Sequence, residues 1–189
     1  MACRVACGRF TEVFNVLRTL YTLSTQRRSW LLLAALALAL DGIALFLQHV
    51  LQVEPCNECI YIRAGVLGIA LAGLIGALAP RYWPMRLLAL VAWVGALGWS
   101  LSRVVLLLDL ERIVAAGGDA SCKRFKGFPD WLPLEQWLPN VFEPRATCGE
   151  VSWTFLGGSV TFWIGIALGA MAVLAAAVVV AQAWPPKER

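Results

Sequence analysis

The segment Pro55-Cys56-Asn57-Glu58-Cys59-Ile60-Tyr61-Ile62-Arg63 breaks an otherwise apolar stretch that runs from Trp30 to Ala79. Its polar, proline-containing head reads as a loop between two membrane spans. Two thiols separated by two residues therefore sit where a bilayer meets water. Arg63 follows Cys59 by four residues, so on a helix both fall on one face. A cation beside a cysteine favours the thiolate, which is the reactive form. The chemistry this points to is redox.

The rest of the chain supports a membrane setting. It is 60% hydrophobic and 15% charged, and charges are excluded from several runs of roughly 18–23 residues, long enough to cross a ~30 Å hydrocarbon core. Spans are expected at about 30–50, 60–79, 87–108 and 155–183, joined outside by loops at 51–58 and 109–153. They make a membrane domain at 29–184, between an N-terminal tail at 1–28 and a C-terminal tail at 185–189. The expected fold class is all-α, an antiparallel four-transmembrane-helix bundle. The first run is too long for a signal-peptide core and no small-x-small site follows it, so it reads as an uncleaved span. Asp41 within it is costly in lipid if ionised, and should face other helices or be protonated. Gly65, Gly68, Gly73 and Gly76 in the second span give small-xxx-small-like spacings that allow close helix approach. A short surface helix is expected in the tail around Thr11–Leu23.

Four spans put both termini on one side, and the positive-inside rule chooses it. The two tails and the turn at 80–86 hold nine Lys/Arg and two acids, whereas the 51–58 loop holds no Lys/Arg and the 109–153 loop has five against seven acids. The termini are thus expected in the cytoplasm and the cysteine-bearing loops outside, which in a bacterium is the periplasm, where disulfides persist. Cys3 and Cys7 fall on the reducing side and read as free thiols in a tail. The net charge of +4 is small and no basic stripe interleaves with aromatics, so nucleic acid is not an expected partner.

Within the long loop, Leu134, Trp137 or Leu138, and Val141 recur at helical spacing. Pro133 suits a first helical position and Pro139 limits the length. A short interfacial helix in this second periplasmic loop is therefore the expected outcome, although periodicity alone fits an ordinary packed loop as well.

Cys56, Cys59, Cys122 and Cys148 allow three kinds of chemistry. A zinc site has one Cys-x-x-Cys half but lacks the second, since Cys122 and Cys148 are far apart, so no metal is expected. A disulfide between Cys122 and Cys148 could staple the long loop of a non-enzymatic scaffold. Cys56 and Cys59 close so small a loop that there is little entropy to remove, and they make better sense as a reversible couple. A two-couple relay is favoured over the scaffold.

The sequence also resembles the DsbB-type disulfide bond formation proteins, quinone-linked reoxidants of the periplasmic oxidant DsbA. The resemblance rests on Gln48-His49-Val50, Pro55-Cys56-x-x-Cys59-Ile60-Tyr61-x-Arg63, Gly76-Ala77-x-Ala79-Pro80, and Phe128-Pro129-x-Trp131-Leu132-Pro133-Leu134-x-x-Trp137-x-Pro139-x-Val141-Phe142. Cys148-x-Glu150 and Trp153-x-Phe155-Leu156-Gly157 complete it. The resemblance implies an inner-membrane oxidoreductase with ubiquinone, or alternatively menaquinone, as cofactor and a DsbA-like periplasmic thiol oxidase as partner. It implies that Cys122 is attacked by the reduced partner, that Cys148 exchanges onward to Cys56, and that Cys59 meets the quinone with Arg63 beside it. A relay of the same mechanism dedicated to a narrower partner is the alternative. The chain departs from the family pattern at Asn57-Glu58, where apolar residues are familiar, and at Ile62, where an acid is familiar. It also lacks a second histidine near the end of span three, where Asp109 and Glu111 stand. Glu58 beside Cys59 is expected to oppose thiolate formation if its charge is close.

Overall fold

A computed structural model describes residues 15–118, 127–130, 132–146, 149, 151 and 153–183. Residues 15–24 form α1, the described part of the helix expected in the tail. Four helices long and apolar enough to cross a membrane follow: α2 (Arg27–His49), α3 (Asn57–Leu78), α4 (Trp83–Ala115) and α7 (Val160–Ala183). At ~1.5 Å per residue the shortest, α3, is ~33 Å long. Two single turns, α5 (Leu134–Trp137) and α6 (Pro139–Phe142), and a two-residue hairpin, β1 (Thr154–Phe155) with β2 (Gly158–Ser159), lie between α4 and α7.

α3 is the centre of the bundle, and its glycines explain why. A Cβ at Gly73 would stand 2.8 Å from the Ala34 nitrogen and 2.9 Å from the Trp30 oxygen, so the α2 backbone lies directly against it. Gly76 faces the Trp30 ring, while Gly65 and Gly68 face Ser100 and Ala96 of α4. The four glycines thus serve two seams. Trp30 closes the α2 side: it is buried, donates its Nε1–H to Ser24 O at 2.8 Å and meets Trp93 edge-on at 6.3 Å. Gly73→Val is expected to destabilise the bundle by ~1–3 kcal/mol, because backbone atoms cannot swing aside. The check is the thermal midpoint in detergent, with Gly42→Ala as comparison, since nothing lies within 4 Å of a Cβ there. Equal midpoints would mean that the α2–α3 seam yields.

α7 packs on α4 and turns Val173, Leu174 and Val180 outward, an apolar exposure that suits hydrocarbon. Gln182 Nε2 donates to Ser24 Oγ at 2.6 Å, tying the end of α7 to α1.

The helix ends differ from the expected spans for local reasons. α4 runs past 108 to Ala115 and stops in a Schellman motif. Gly118 N–H donates to Ile113 O, Gly117 N–H to Val114 O, and Gly117 supplies the left-handed φ of +80°. The fourth span begins at Val160 and not at 155, because Leu156 and Gly157 both take positive φ and turn the hairpin back first. In the long loop the chain forms two turns and not one helix. Leu138, before Pro139, is forced out of the helical region, with φ −135° and ψ 65°. Phe142 is buried, while Trp137 and Leu138 are exposed.

Candidate functional site

The site is built where the loop after α2 enters α3. Cys56 is the residue that caps the start of α3, in extended conformation, and the Cys59 N–H donates to its Sγ at 3.3 Å. Both cysteines are free thiols; Cys56 is buried and Cys59 half-buried. The Cys59 thiol donates to Cys56, and this, more than any other influence, pulls the Cys56 thiol below its ordinary value; burial opposes it, and the N–H groups of Cys59 and Glu58 add to it. The anion-stabilising donors of the dithiol form therefore converge on Cys56. The sequence placed the favoured thiolate at Cys59, through Arg63. The difference arises because only the capping position receives the free N–H groups of the first helical turn.

The returning loop flanks this pair. Pro55 O accepts from the N–H groups of Arg145 (3.0 Å) and Ala146 (3.2 Å), and Cys56 and Ala146 pair as a parallel bridge. Gly149 and Val151 then line a cavity of about 120 Å³. Cys122 and Cys148 lie outside the described residues, as do Cys3, Cys7 and Trp131.

That cavity lies between α2, α3, α4 and the start of α7, and Cys56, Cys59, Arg63, Asp41 and Glu111 border it. Arg63 is buried and its Nη1 donates to Gln48 Oε1 at 2.8 Å and to Val141 O. Gln48 in turn donates to Asn140 O at 2.9 Å. The guanidinium thus fastens the end of α2 and the turn α6 to the head of α3. Its Nε is buried with no hydrogen-bond partner among the described residues, and so is Asp41 Oδ2. Asp41 is buried against other helices, in line with the alternative that it avoids lipid. Glu111, by contrast, accepts from Ser159 Oγ (2.7 Å) and Thr161 Oγ1. His49 is exposed at the end of α2 and does not line the cavity. Among the described residues no cluster of three or more His, Cys, Asp or Glu could hold a metal ion.

Glu58 finds its explanation on the other side of α3. It is buried, and Arg103 Nη1 of α4 lies 3.4 Å from its Oε2. The Arg103 guanidinium sits over Trp99 (4.4 Å) and Tyr61 (5.1 Å), so two ring faces and one carboxylate hold it. Tyr61 also donates to Gly127 O at 3.4 Å and meets Phe128 edge-on, and Phe128 meets Phe142. The sequence reading missed Arg103, whose only signal was an unpaired cation in an apolar run.

Arg103→Leu is expected to leave Glu58 a buried, unpaired carboxylate, costing ~1.5–3 kcal/mol. Glu58 already opposes the Cys56 thiolate weakly, so losing its counter-cation raises the Cys56 pKa further. The pH of half-maximal Cys56 alkylation should therefore move up, and Glu58→Gln added to Arg103→Leu should move it back. An unmoved alkylation profile in the single variant would leave the pair a purely structural bond.

Comparison with known proteins bears on this geometry. A family model described as "Disulfide bond formation protein DsbB" matches residues 26–178. The Salmonella typhimurium "Disulfide bond formation protein B" is 40% identical over 176 residues, 92% of this chain and 97% of that protein. The Photobacterium profundum protein of the same name is 40% identical over 172 residues, covering 89% and 94%. "Disulfide bond formation protein B 2" of Pseudomonas aeruginosa is 45% identical over 140 residues, covering 73% and 81%.

Proposed function

The chain belongs to the DsbB family of disulfide bond formation proteins, and from that premise we propose that it reoxidises a DsbA-like periplasmic thiol oxidase and gives the electrons to ubiquinone. Membership makes it a disulfide-forming oxidoreductase of the bacterial inner membrane, and its four apolar helices make it multi-pass. The finer reading places both termini in the cytoplasm and the cysteine loops in the periplasm, on the Lys/Arg asymmetry of the loops.

The observation that carries the quinone reading is the cavity itself. It is largely apolar, as a lipid-borne ring requires, and it is bordered by Cys59 together with Arg63 and Asp41, whose Nε and Oδ2 are buried with no hydrogen-bond partner among the described residues. Buried polar groups are seldom left without partners, so the pair marks a place for a ligand that carries oxygen. Arg63 and Cys59 would hold a quinone there. Bound, it supplies a sink for two electrons and two protons. DsbA-type oxidants have a potential of about −120 mV, so restoring their disulfide needs an acceptor still more oxidising than that.

The chain's own residues divide the work. Cys122 and Cys148 take electrons from the partner dithiol by disulfide exchange, and Cys148 passes them to Cys56. The described chain on either side of Cys148 supports this step: Ala146 is paired with Cys56, and Gly149 borders the cavity. Cys56, whose thiol is held below its ordinary value chiefly by the hydrogen bond from Cys59, has the greater thiolate character that exchange requires. Both sulfurs' residues border the cavity, and Cys59 is the one that stands one helical turn before Arg63 on α3. Arg63 offers fixed positive charge where negative charge would develop.

The test uses purified protein, reduced DsbA-type oxidase and short-chain ubiquinone. Loss of quinone absorbance matched by loss of partner thiols is the expected result. No quinone consumption with either ubiquinone or menaquinone analogues would overturn the reading and favour a scaffold stapled at Cys122–Cys148.

A further inference from the structure

Quinone reduction needs protons as well as electrons, and among the described residues that line the cavity one group is suited to carry them. We propose that Asp41 is the proton donor of the site, passing a proton from Oδ2 to the quinone oxygen; this rests on the quinone reading above. Asp41 is 6% exposed, borders the same cavity as Cys59 and Arg63, and has a buried oxygen without a partner.

The neighbouring groups make this assignment specific. Glu111 receives two hydroxyl hydrogen bonds, which occupy its oxygens and hold it toward α7. Glu54 is exposed at the rim. His49 does not line the cavity. Arg63 directs Nη1 to Gln48 and Val141, and no ion pair within 4 Å joins it to Asp41. A carboxyl at this depth that is neither paired nor hydrogen-bonded at one oxygen is costly as an anion and suited to hold a proton.

The step balances. Oxidation of the Cys56–Cys59 dithiol forms one S–S bond and releases two electrons and two protons, and the acceptor takes up both pairs. The Asp41 O–H bond breaks as an O–H bond forms on the acceptor. Asp41 is then reprotonated by the proton released from the Cys59 thiol, so it ends as it began. The partner dithiol, through Cys122 and Cys148, restores the reduced pair, and no further reductant enters.

The experiment uses the full chain in detergent with ubiquinone-1. Asp41→Asn keeps the shape and removes the proton. It should slow quinone reduction by about 100-fold, leave quinone affinity by tryptophan quenching unchanged, and leave thiol exchange with the partner intact. Asp41→Glu should recover most of the rate. Infrared spectra give a readout independent of turnover: the native protein should show a protonated-carboxyl C=O band that shifts when ubiquinone-1 is added and is missing in Asp41→Asn. A native rate in Asp41→Asn overturns the proposal. So does the absence of the band, or a rate loss accompanied by an equal loss of quinone affinity. The native protein and Cys59→Ser separate the two levels. If the native protein consumes no quinone, the function reading fails, and if Cys59→Ser still consumes it, only the assignment of Cys59 fails. If Cys59→Ser is silent while Asp41→Asn runs at full rate, only the proton role fails.

Discussion

Cys59→Ser is expected to abolish quinone reduction and to spare the exchange between the partner and the loop cysteines. The expectation follows from where the two sulfurs of the pair stand. Cys56 is buried, receives the N–H groups of the first turn, and is paired through its backbone with Ala146 of the returning loop. Cys59 is half-buried and borders the cavity together with Arg63. Serine keeps the size of the side chain but has no accessible thiolate and cannot form the S–S bond. The electrons then stop at the loop pair Cys122 and Cys148, because Cys56 has no partner sulfur with which to form the disulfide that would accept them. Single-turnover measurements should show partner thiols disappearing with native amplitude for the first exchange, and then no change in quinone absorbance. The helix start should persist, because the donor to Cys56 Sγ is the backbone N–H of residue 59 and not its side chain. Quinone turnover at the native rate would remove Cys59 from the path and make Cys56 the sulfur that meets the acceptor.

The membrane fold was legible because its signal is local. Exclusion of charge over a run long enough to cross a bilayer needs no knowledge of neighbours. The places where helices end needed more. Pro139 correctly limits helix length, yet its stronger effect is on Leu138 before it, which splits one expected helix into two turns. Gly117-Gly118 after the third span and Leu156-Gly157 before the fourth are turn signals that hydropathy overrides when a span is sought by its apolar run. The cysteines were legible for another reason: their type, spacing and compartment restrict the chemistry. Their electrostatics were not. The position that caps a helix differs from one three residues on, although both are cysteines of one short motif.

Long-range polar partners were the least legible part. Glu58 looked like a defect beside the reactive pair until Arg103, 45 residues away, was placed against it. The apolar residues familiar at this motif need no such cation. The acid and the arginine therefore read as one feature of this chain, which lets a carboxylate stand beside a thiol. Arg63 was recognised for its nearness to Cys59, but its hydrogen bonds reach Gln48 and Val141, 15 and 78 residues away. No periodicity predicts such pairs, because three separate elements create them only when they meet.

Those partners shape the second large effect. Arg63→Gln should weaken the reaction with quinone by about 100- to 1,000-fold, the range for losing one preorganised charge-stabilising donor. Partner exchange should fall far less. The argument turns on what each nitrogen does. Nη1 is committed to Gln48 and Val141, a structural role, while Nε is buried with no hydrogen-bond partner among the described residues in a side chain that borders the cavity. Glutamine can offer an N–H to the first pair but has no charge and no second nitrogen directed at the cavity. A folding penalty of ~1–3 kcal/mol accompanies the change, from polar groups left without donors, and it should appear as a lower thermal midpoint. Arg63→Lys separates the roles. Lysine keeps a positive charge but is a single point of attachment without the planar fork. If charge alone matters, lysine restores most of the quinone rate even though the midpoint stays low. If the directed Nε–H matters, lysine is nearly as slow as glutamine. The discriminating measurement is the ratio of quinone reduction to partner exchange in each variant. Equal loss of both steps in Arg63→Gln would mean that the guanidinium holds α2, α3 and α6 together and has no part in the redox chemistry.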